Sequence, residues 1–287
     1  MDPAKFLIVG SRGQLALALQ KRWPEAKVAG SKDLDISDTA AVKAYDFSGV
    51  TVILNAAAFT NVDGAELPDG RVAAWKVNAT GVANLAAAAI THDLTLVNIS
   101  SDYVWDGRED NHDDDEPFSP LNVYGQSKAA GEIAASLVPK HYTLRTSWVI
   151  GDGKNFVRTM ISLAEKNISP TVVGDQIGRL TFAQTLVEAV EHLLGTSAPF
   201  GNYNVSNDGE PASWADITRE ISKDLGREDL TVTDTTTAEY FAGKENIAPR
   251  PLQSSFNLAK IKAAGLALRD WREDLQSYIT NEQKEHA

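Results

Sequence analysis

The chain has 287 residues, 43% of them hydrophobic, enough for one large domain or two modest ones around a substantial core. A formal net charge of −12 argues against a nucleic-acid backbone as partner, while leaving a small anionic ligand to local cations and helix N-termini. No window approaches twenty apolar residues, the first residues lack a signal-peptide pattern and cysteine is absent, so no membrane span, disulfide or thiolate metal site is expected and a cytoplasmic protein is.

Residues 6–9 form an apolar run of the kind that makes a buried parallel strand. Gly10, Gly13 and Ala16 follow in a Gly-x-x-Gly-x-x-Ala spacing, and 15–23 reads as a helix. Strand, glycine turn and helix together point to a dinucleotide site, with the pyrophosphate on the helix N-terminus and Gly10, Arg12, Gly13, Gln14 and Leu15 around it. A tight turn without a ligand is the plainer reading of the same glycines.

Residues 27–29 are the expected second strand. An acid at its tip would bind ribose hydroxyls, whereas cations and hydroxyls suit a 2′-phosphate. The tip reads Gly30-Ser31-Lys32, with Arg12 within reach, which favours NADPH; NADH is the other cofactor considered. Asp35 and Ile36 precede a helix start at Ser37 or Asp38 and bring a carboxylate toward the adenine.

A third strand over 50–54 ends in small residues, among them Ala57 and Ala58, that let the backbone lie flat against a cofactor. Residues 69–78 and 81–92 carry apolar positions at helical spacing. Asn78 reads equally as a surface amide and as a group that shapes the site by bonding a neighbouring main chain. A fourth strand over 94–99 places Ile99 beside the cofactor and delivers Ser101. This alternation implies a doubly wound parallel α/β sheet of Rossmann type, whose ligands lie at the carboxyl ends of the strands.

Residues 109–116 are an acidic run with one histidine, read as a solvated loop in preference to a metal site. Trp105 and Phe118 flank it and are expected to wall the substrate pocket. The histidines, His92, His112, His141, His192 and His286, show no zinc-helix spacing, so no metal ligand is assigned. Tyr124 and Lys128 stand four apart where the chain turns into an alanine-rich helix over 127–136, so on a helix they share a face. The ammonium is expected to lower the phenol pKa, so that Tyr124 protonates a carbonyl oxygen receiving hydride while Ser101 holds that oxygen.

After a strand over 142–147 the rhythm breaks. Helices are expected at 155–166, with Phe156, Met160 and Leu163 on one face, at 182–194, and from a capping box at Ser213 and Asp216 to Leu225. Short strands fall at 171–173 and 201–206, and short helices at 258–264 and 271–278. The division that follows is a dinucleotide-binding domain over 1–150 with later pieces near 178–206, and a smaller α/β substrate domain from 151–177 and 207–287. Arg250 is a candidate for the substrate pyrophosphate, with a structural salt bridge as the alternative.

Nearly the whole chain resembles the dTDP-4-dehydrorhamnose reductases of the extended short-chain dehydrogenase/reductase family. The resemblance rests on Gly10-x-x-Gly13-Gln14-Leu15, Leu34-Asp35-Ile36-Ser37-Asp38, Asn55-Ala56-Ala57-Ala58-Phe59-Thr60-Asn61-Val62-Asp63, Ser100-Ser101-Asp102-Tyr103-Val104 and Ser119-Pro120-Leu121-Asn122-Val123-Tyr124-Gly125. It continues through Arg145-Thr146-Ser147-Trp148-Val149, Gly174-Asp175-Gln176-Ile177-Gly178 and Arg250-Pro251. It implies reduction of dTDP-4-dehydro-L-rhamnose to dTDP-L-rhamnose with a nicotinamide cofactor, the last step of dTDP-rhamnose synthesis for cell-surface polysaccharide. Tyr124 is then the proton donor and Lys128 its partner and ribose ligand. Ala58, Phe59 and Thr60 line the cofactor, and Asp102 and Trp148 contact the sugar nucleotide. Ser101 stands where threonine is usual, keeping the hydroxyl. Gly30 stands where many relatives have aspartate, in line with NADPH. Arg179, Leu180 and Gln253 also depart from the family pattern.

The resemblance further implies dimers and, in some bacteria, association or fusion with the 3,5-epimerase that makes the substrate; a magnesium requirement finds no ligand set here. The rivals are another sugar-nucleotide enzyme, such as a 4-epimerase or a 4,6-dehydratase, and a non-catalytic NADP-binding regulatory subunit like that of methionine adenosyltransferase. Dehydration is disfavoured because Tyr103 replaces the glutamate it needs.

Overall fold

The computed structural model describes residues 1–285; His286 lies outside them. Its centre is a six-stranded sheet made by β1 (Phe6–Val9), β2 (Lys27–Ala29), β3 (Val52–Asn55), β4 (Thr95–Ser101), β5 (His141–Thr146) and β6 (Gly201–Asn204). From edge to edge their order is β2-β1-β3-β4-β5-β6, and every pairing is parallel. Both faces are covered, which is why β1 and β3 are buried at every position. Successive side chains alternate between two cores. Phe6, Ile8, Val52, Leu54 and Val97 join one, Leu7, Val9, Ile53 and Leu96 the other.

Helices α1 (Gln14–Arg22) and α7 (Ala183–Thr196) close the first face through Leu15, Leu19, Leu186 and Leu193. Helices α2 (Thr39–Ala44), α4 (Val82–Thr91) and α5 (Val123–Ala135) close the second through Val42, Leu85 and Ala135. The two helices expected over 69–78 and 81–92 are joined: α3 (Pro68–Trp75) runs into α4 through a π-helical segment, Lys76–Gly81, with Asn78 buried in it. Such segments often mark functional positions.

A third core is built by α6 (Phe156–Glu165), α8 (Trp214–Asp224) and α9 (Trp271–Glu285), with Val157, Ile161, Ile217, Ile221, Trp271 and Leu275 buried together. The inner stripe of α6 is Val157, Ile161 and Ala164, one position on from the expected one, with Phe156 and Met160 at its edge. The capping box at Ser213 and Asp216 is present. Residue ranges do not follow the cores strictly: Phe256, Leu258 and Ile261 pack with the first sheet face.

Candidate active site

In the 2-1-3-4-5 strand order the chain departs from β1 to opposite sides, so a crevice opens at the carboxyl ends of β1 and β3. Gly10 makes the close approach there. Its φ is +93°, and an added Cβ would lie 2.9 Å from the Ala57 nitrogen. Gly13 lies on the cleft wall, and a Cβ on it would meet nothing within 4 Å. The first hydrogen bond of α1 is Leu17 N–H to Gly13 O, so the N–H groups of Gln14, Leu15 and Ala16 have no helical acceptor. The Gln14 side chain is engaged elsewhere. Its oxygen accepts from Gly151 N–H at 2.7 Å and its nitrogen donates to Val149 O at 3.3 Å, tying the glycine loop to the chain beyond β5.

At the tip of β2 Gly30 is buried, whereas Ser31, Lys32 and Arg12 are exposed and do not line the cleft. The tip is not free of acid: the Asp33 carboxylate turns back and accepts from Gly30 N–H at 3.0 Å. Asp35 is exposed and bonded to Ser37, while Ile36 is packed in the second core. The adenosine end of a dinucleotide would therefore lie on an open surface.

The cleft floor is ordered by buried amides. Asn55 donates to Asn98 at 2.9 Å and accepts from Ala57 N–H at 3.2 Å. Asn78 accepts from Phe59 N–H at 2.8 Å and donates to Phe59 O and to the Ser127 hydroxyl, both at 3.0 Å. It thus ties the cofactor-side loop Ala57–Thr60 to α5, so of its two readings the shaping role is the one seen.

Ser101 ends β4, and α5 begins at Val123 because the Asn122 side chain accepts from Gly125 N–H at 2.8 Å. Tyr124 and Lys128 are therefore both helical, one turn apart, and both line the cleft with Ser101 and Ile99. Burial pushes the Tyr124 phenol up to about 12, with the Ser101 hydroxyl acting the other way. The phenol is thus raised, not lowered as expected, and the Lys128 ammonium is bonded to the Ile99 carbonyl instead of to it. Burial instead lowers Lys128 to about 8, opposed by Glu132. Its ammonium donates to Ile99 O at 2.5 Å.

Asp102 is buried. Its oxygens face the hydroxyls of Ser101 at 2.8 Å and Ser254 at 2.6 Å. Trp148 lies on the opposite wall at φ +49°, an unusual backbone for a bulky residue, and stacks on Trp214 with centroids 3.7 Å apart. Trp214 and Gln176 share a hydrogen bond at 3.3 Å and both line the cleft. Neither was singled out in the sequence as a site residue; an aromatic at the first turn of a capped helix was the available signal. Arg250 lines the cleft too, but bonds Asp63 at 2.8 Å and stacks over Phe241. The salt-bridge alternative is thus realised in this structure.

Trp105 and Phe118 do not wall the cleft. Trp105 is fully buried between the Arg145 guanidinium, 4.8 Å from its ring, and the parallel His112 ring at 4.7 Å. The acidic run is only partly solvated, because His112 bonds Glu116 at 2.8 Å and Asp114 accepts from Asn204 N–H at 2.6 Å. Among the described residues no group of three or more His, Cys, Asp or Glu side chains is placed to hold a metal, and no helix is long and apolar enough to cross a membrane.

The cleft holds about 540 Å³, in the range of small-molecule sites. Its donor set fits a nicotinamide dinucleotide. Free N–H groups at the start of α1 suit the pyrophosphate, the open side of Gly13 gives it room, and the Ser100 and Thr146 hydroxyls on the wall have no protein partner.

The family described as the RmlD substrate binding domain matches residues 4–284. A dTDP-4-dehydrorhamnose reductase of Aggregatibacter actinomycetemcomitans is 37% identical, over 96% of this chain and 98% of that protein. The spore coat polysaccharide biosynthesis protein SpsK of Bacillus subtilis is 36% identical, over 96% of each. Among solved structures, dTDP-4-dehydrorhamnose reductase from Bacillus anthracis in complex with NADP superposes with a TM-score of 0.87 at 33% identity, covering 96% of this chain and 98% of that one.

Proposed function

The chain belongs to the RmlD substrate-binding-domain family, and from that premise we propose how its cleft works. It is an NADP-dependent oxidoreductase that reduces dTDP-4-dehydro-L-rhamnose to dTDP-L-rhamnose, the last step of dTDP-rhamnose synthesis. The reading implies the cytoplasm as its compartment, and the family resemblance extends it to a homodimer that works alongside the 3,5-epimerase supplying the keto sugar.

NADPH supplies the hydride when bound. The α1 N-terminus and the Gly10–Gly13 turn would hold its pyrophosphate, Ala57, Ala58, Thr60 and Ile99 would lie along it, and Lys128 would serve its nicotinamide ribose. Ser31, Lys32 and Arg12 frame the open adenosine end. The sugar nucleotide lies between Trp148 and the strand ends, with Arg250 toward its phosphates. Its C4 carbonyl oxygen receives a hydrogen bond from Ser101 and the proton of Tyr124. A phenol raised to about 12 is fully protonated near neutrality, the state a donor requires.

The observation that carries this reading is the convergence of Ser101, Tyr124 and Lys128 on one cleft at the carboxyl edge of the sheet. Replacing Tyr124 by Phe tests it. Turnover should fall by a factor on the order of 10³, the general-acid contribution, while NADPH affinity holds. A variant that turns over at the parent rate would remove Tyr124 from the role.

A further inference from the structure

Asp102 is 3% exposed, and both of its carboxyl oxygens are committed. Oδ1 is 2.8 Å from the Ser101 hydroxyl, and Oδ2 is 2.6 Å from that of Ser254. Ser254 arrives from 152 residues further along the chain. Its N–H donates to Ile177 O at 2.8 Å, and the Ser147 hydroxyl donates to its carbonyl at 3.5 Å, so its place is fixed from two sides. Ser101 Oγ also accepts from Tyr103 N–H at 3.3 Å.

A hydroxyl has one hydrogen to give, and a carboxylate only accepts. An ionised Asp102 would claim the Ser101 hydrogen and leave Ser101 nothing to donate to a ketone. A protonated Asp102 resolves the conflict: Oδ1–H donates to Ser101, Oδ2 accepts from Ser254, and the Ser101 hydrogen is free for the substrate. We infer that Ser254 and a neutral, protonated Asp102 form a positioning pair that sets the direction of the Ser101 hydrogen bond toward the substrate carbonyl. This rests on the roles given above to Ser101 and Tyr124.

The surroundings agree. Burial pushes the Asp102 carboxyl up from its ordinary range, opposed by the Ser254 and Ser101 hydroxyls and by His112. The other titratable groups facing it are Tyr103 and Tyr124, whose phenols a charge at Asp102 would raise further. A neutral acid also places no negative charge beside the oxygen on which negative charge develops during hydride transfer.

The test compares kcat, KM for the keto sugar and the NADPH dissociation constant for Ser254→Ala, Asp102→Ala, Asp102→Asn and the Ser254→Ala/Asp102→Ala double variant. Ser254→Ala should lower kcat about tenfold, the equivalent of one hydrogen bond, with KM and NADPH affinity held. Asp102→Ala should lose about a hundredfold or more. Asp102→Asn, the isostere of the neutral acid, should lose about tenfold at most, and adding Ser254→Ala to Asp102→Ala should cost nothing further. A Ser254→Ala enzyme with the parent kcat, or an Asp102→Asn enzyme as slow as Asp102→Ala, would overturn the inference. Retained NADPH affinity certifies the fold, and where Asp102→Ala loses it, Ser254→Ala and Asp102→Asn decide alone. Tyr124→Phe in the same series keeps the outcomes apart, since parent-like turnover there would defeat the underlying reading instead.

Discussion

Lys128 stands one helical turn from Tyr124, yet its ammonium is bonded to the Ile99 carbonyl at 2.5 Å and not to the phenol. Burial of both groups moves them in opposite senses, the phenol up to about 12 and the ammonium down to about 8. The pair is therefore poised by desolvation before any ligand arrives.

A pH dependence follows. Below about 8 Lys128 is charged, and above it the proton is lost. Since kcat/KM reports the free enzyme, its profile should fall as pH rises through about 8, with no loss of the Tyr124 proton until about 12. Stability runs the other way. Between about 8 and the unperturbed 10.5 the unfolded chain holds a proton on this lysine that the folded chain lacks, so this group makes the fold more stable as pH rises. Lys128→Met should abolish both features in a kinetic and a urea-unfolding series.

Trp214 carries a second prediction. It stacks on Trp148 and is held by Gln176 beside the cleft. Trp214→Ala should raise KM for the sugar nucleotide about tenfold, the loss of one aromatic contact with its area burial, while the NADPH dissociation constant stays put. Steady-state kinetics and fluorescence titration would separate the two, and an unchanged KM would place the sugar elsewhere.

The glycine loop, Ser101, Tyr124 and Lys128 were legible in the sequence because each sits at a strand end or one helical turn from another, where local periodicity fixes direction. Ser254, Gln176 and Trp214 were not, because their partners lie far along the chain: Ser254 meets Asp102 across 152 residues, and Arg250 meets Asp63 across 187. The alanine run points to a helix start at 127, whereas the Asn122 cap sets the start of α5 at Val123. Trp105 flanks the acidic run yet lies away from the cleft, because the Arg145 side chain that covers it comes from β5, some forty residues along the chain.

Arg145 and Glu132 are 2% and 1% exposed in their side chains and 2.8 Å apart. Glu132→Ala would leave the guanidinium buried without its counter-charge, which should destabilise the protein by about 3–5 kcal/mol. Chemical denaturation would measure it; a loss below about 1 kcal/mol, typical of exposed pairs, would show that Asp114 O and the Trp105 ring suffice to hold the charge.

At the tip of β2, Lys32 is exposed while Asp33 caps Gly30 N–H. If the adenosine ribose lies there, Asp33→Asn should shift the NADPH-to-NADH ratio of kcat/KM toward NADPH, and Lys32→Ala should shift it toward NADH, each by about three- to tenfold, less than one screened charge contact near a surface. No change in either variant would move the 2′-phosphate away from this turn.

The most direct measurement is the rate of NADPH oxidation, followed by absorbance, with enzymatically made dTDP-4-dehydro-L-rhamnose, alongside the same assay with NADH. Rapid oxidation dependent on the keto sugar, faster with NADPH and yielding dTDP-L-rhamnose, is the result expected. Tight NADPH binding without oxidation would contradict the account and leave the cleft as a nucleotide-binding site without this chemistry.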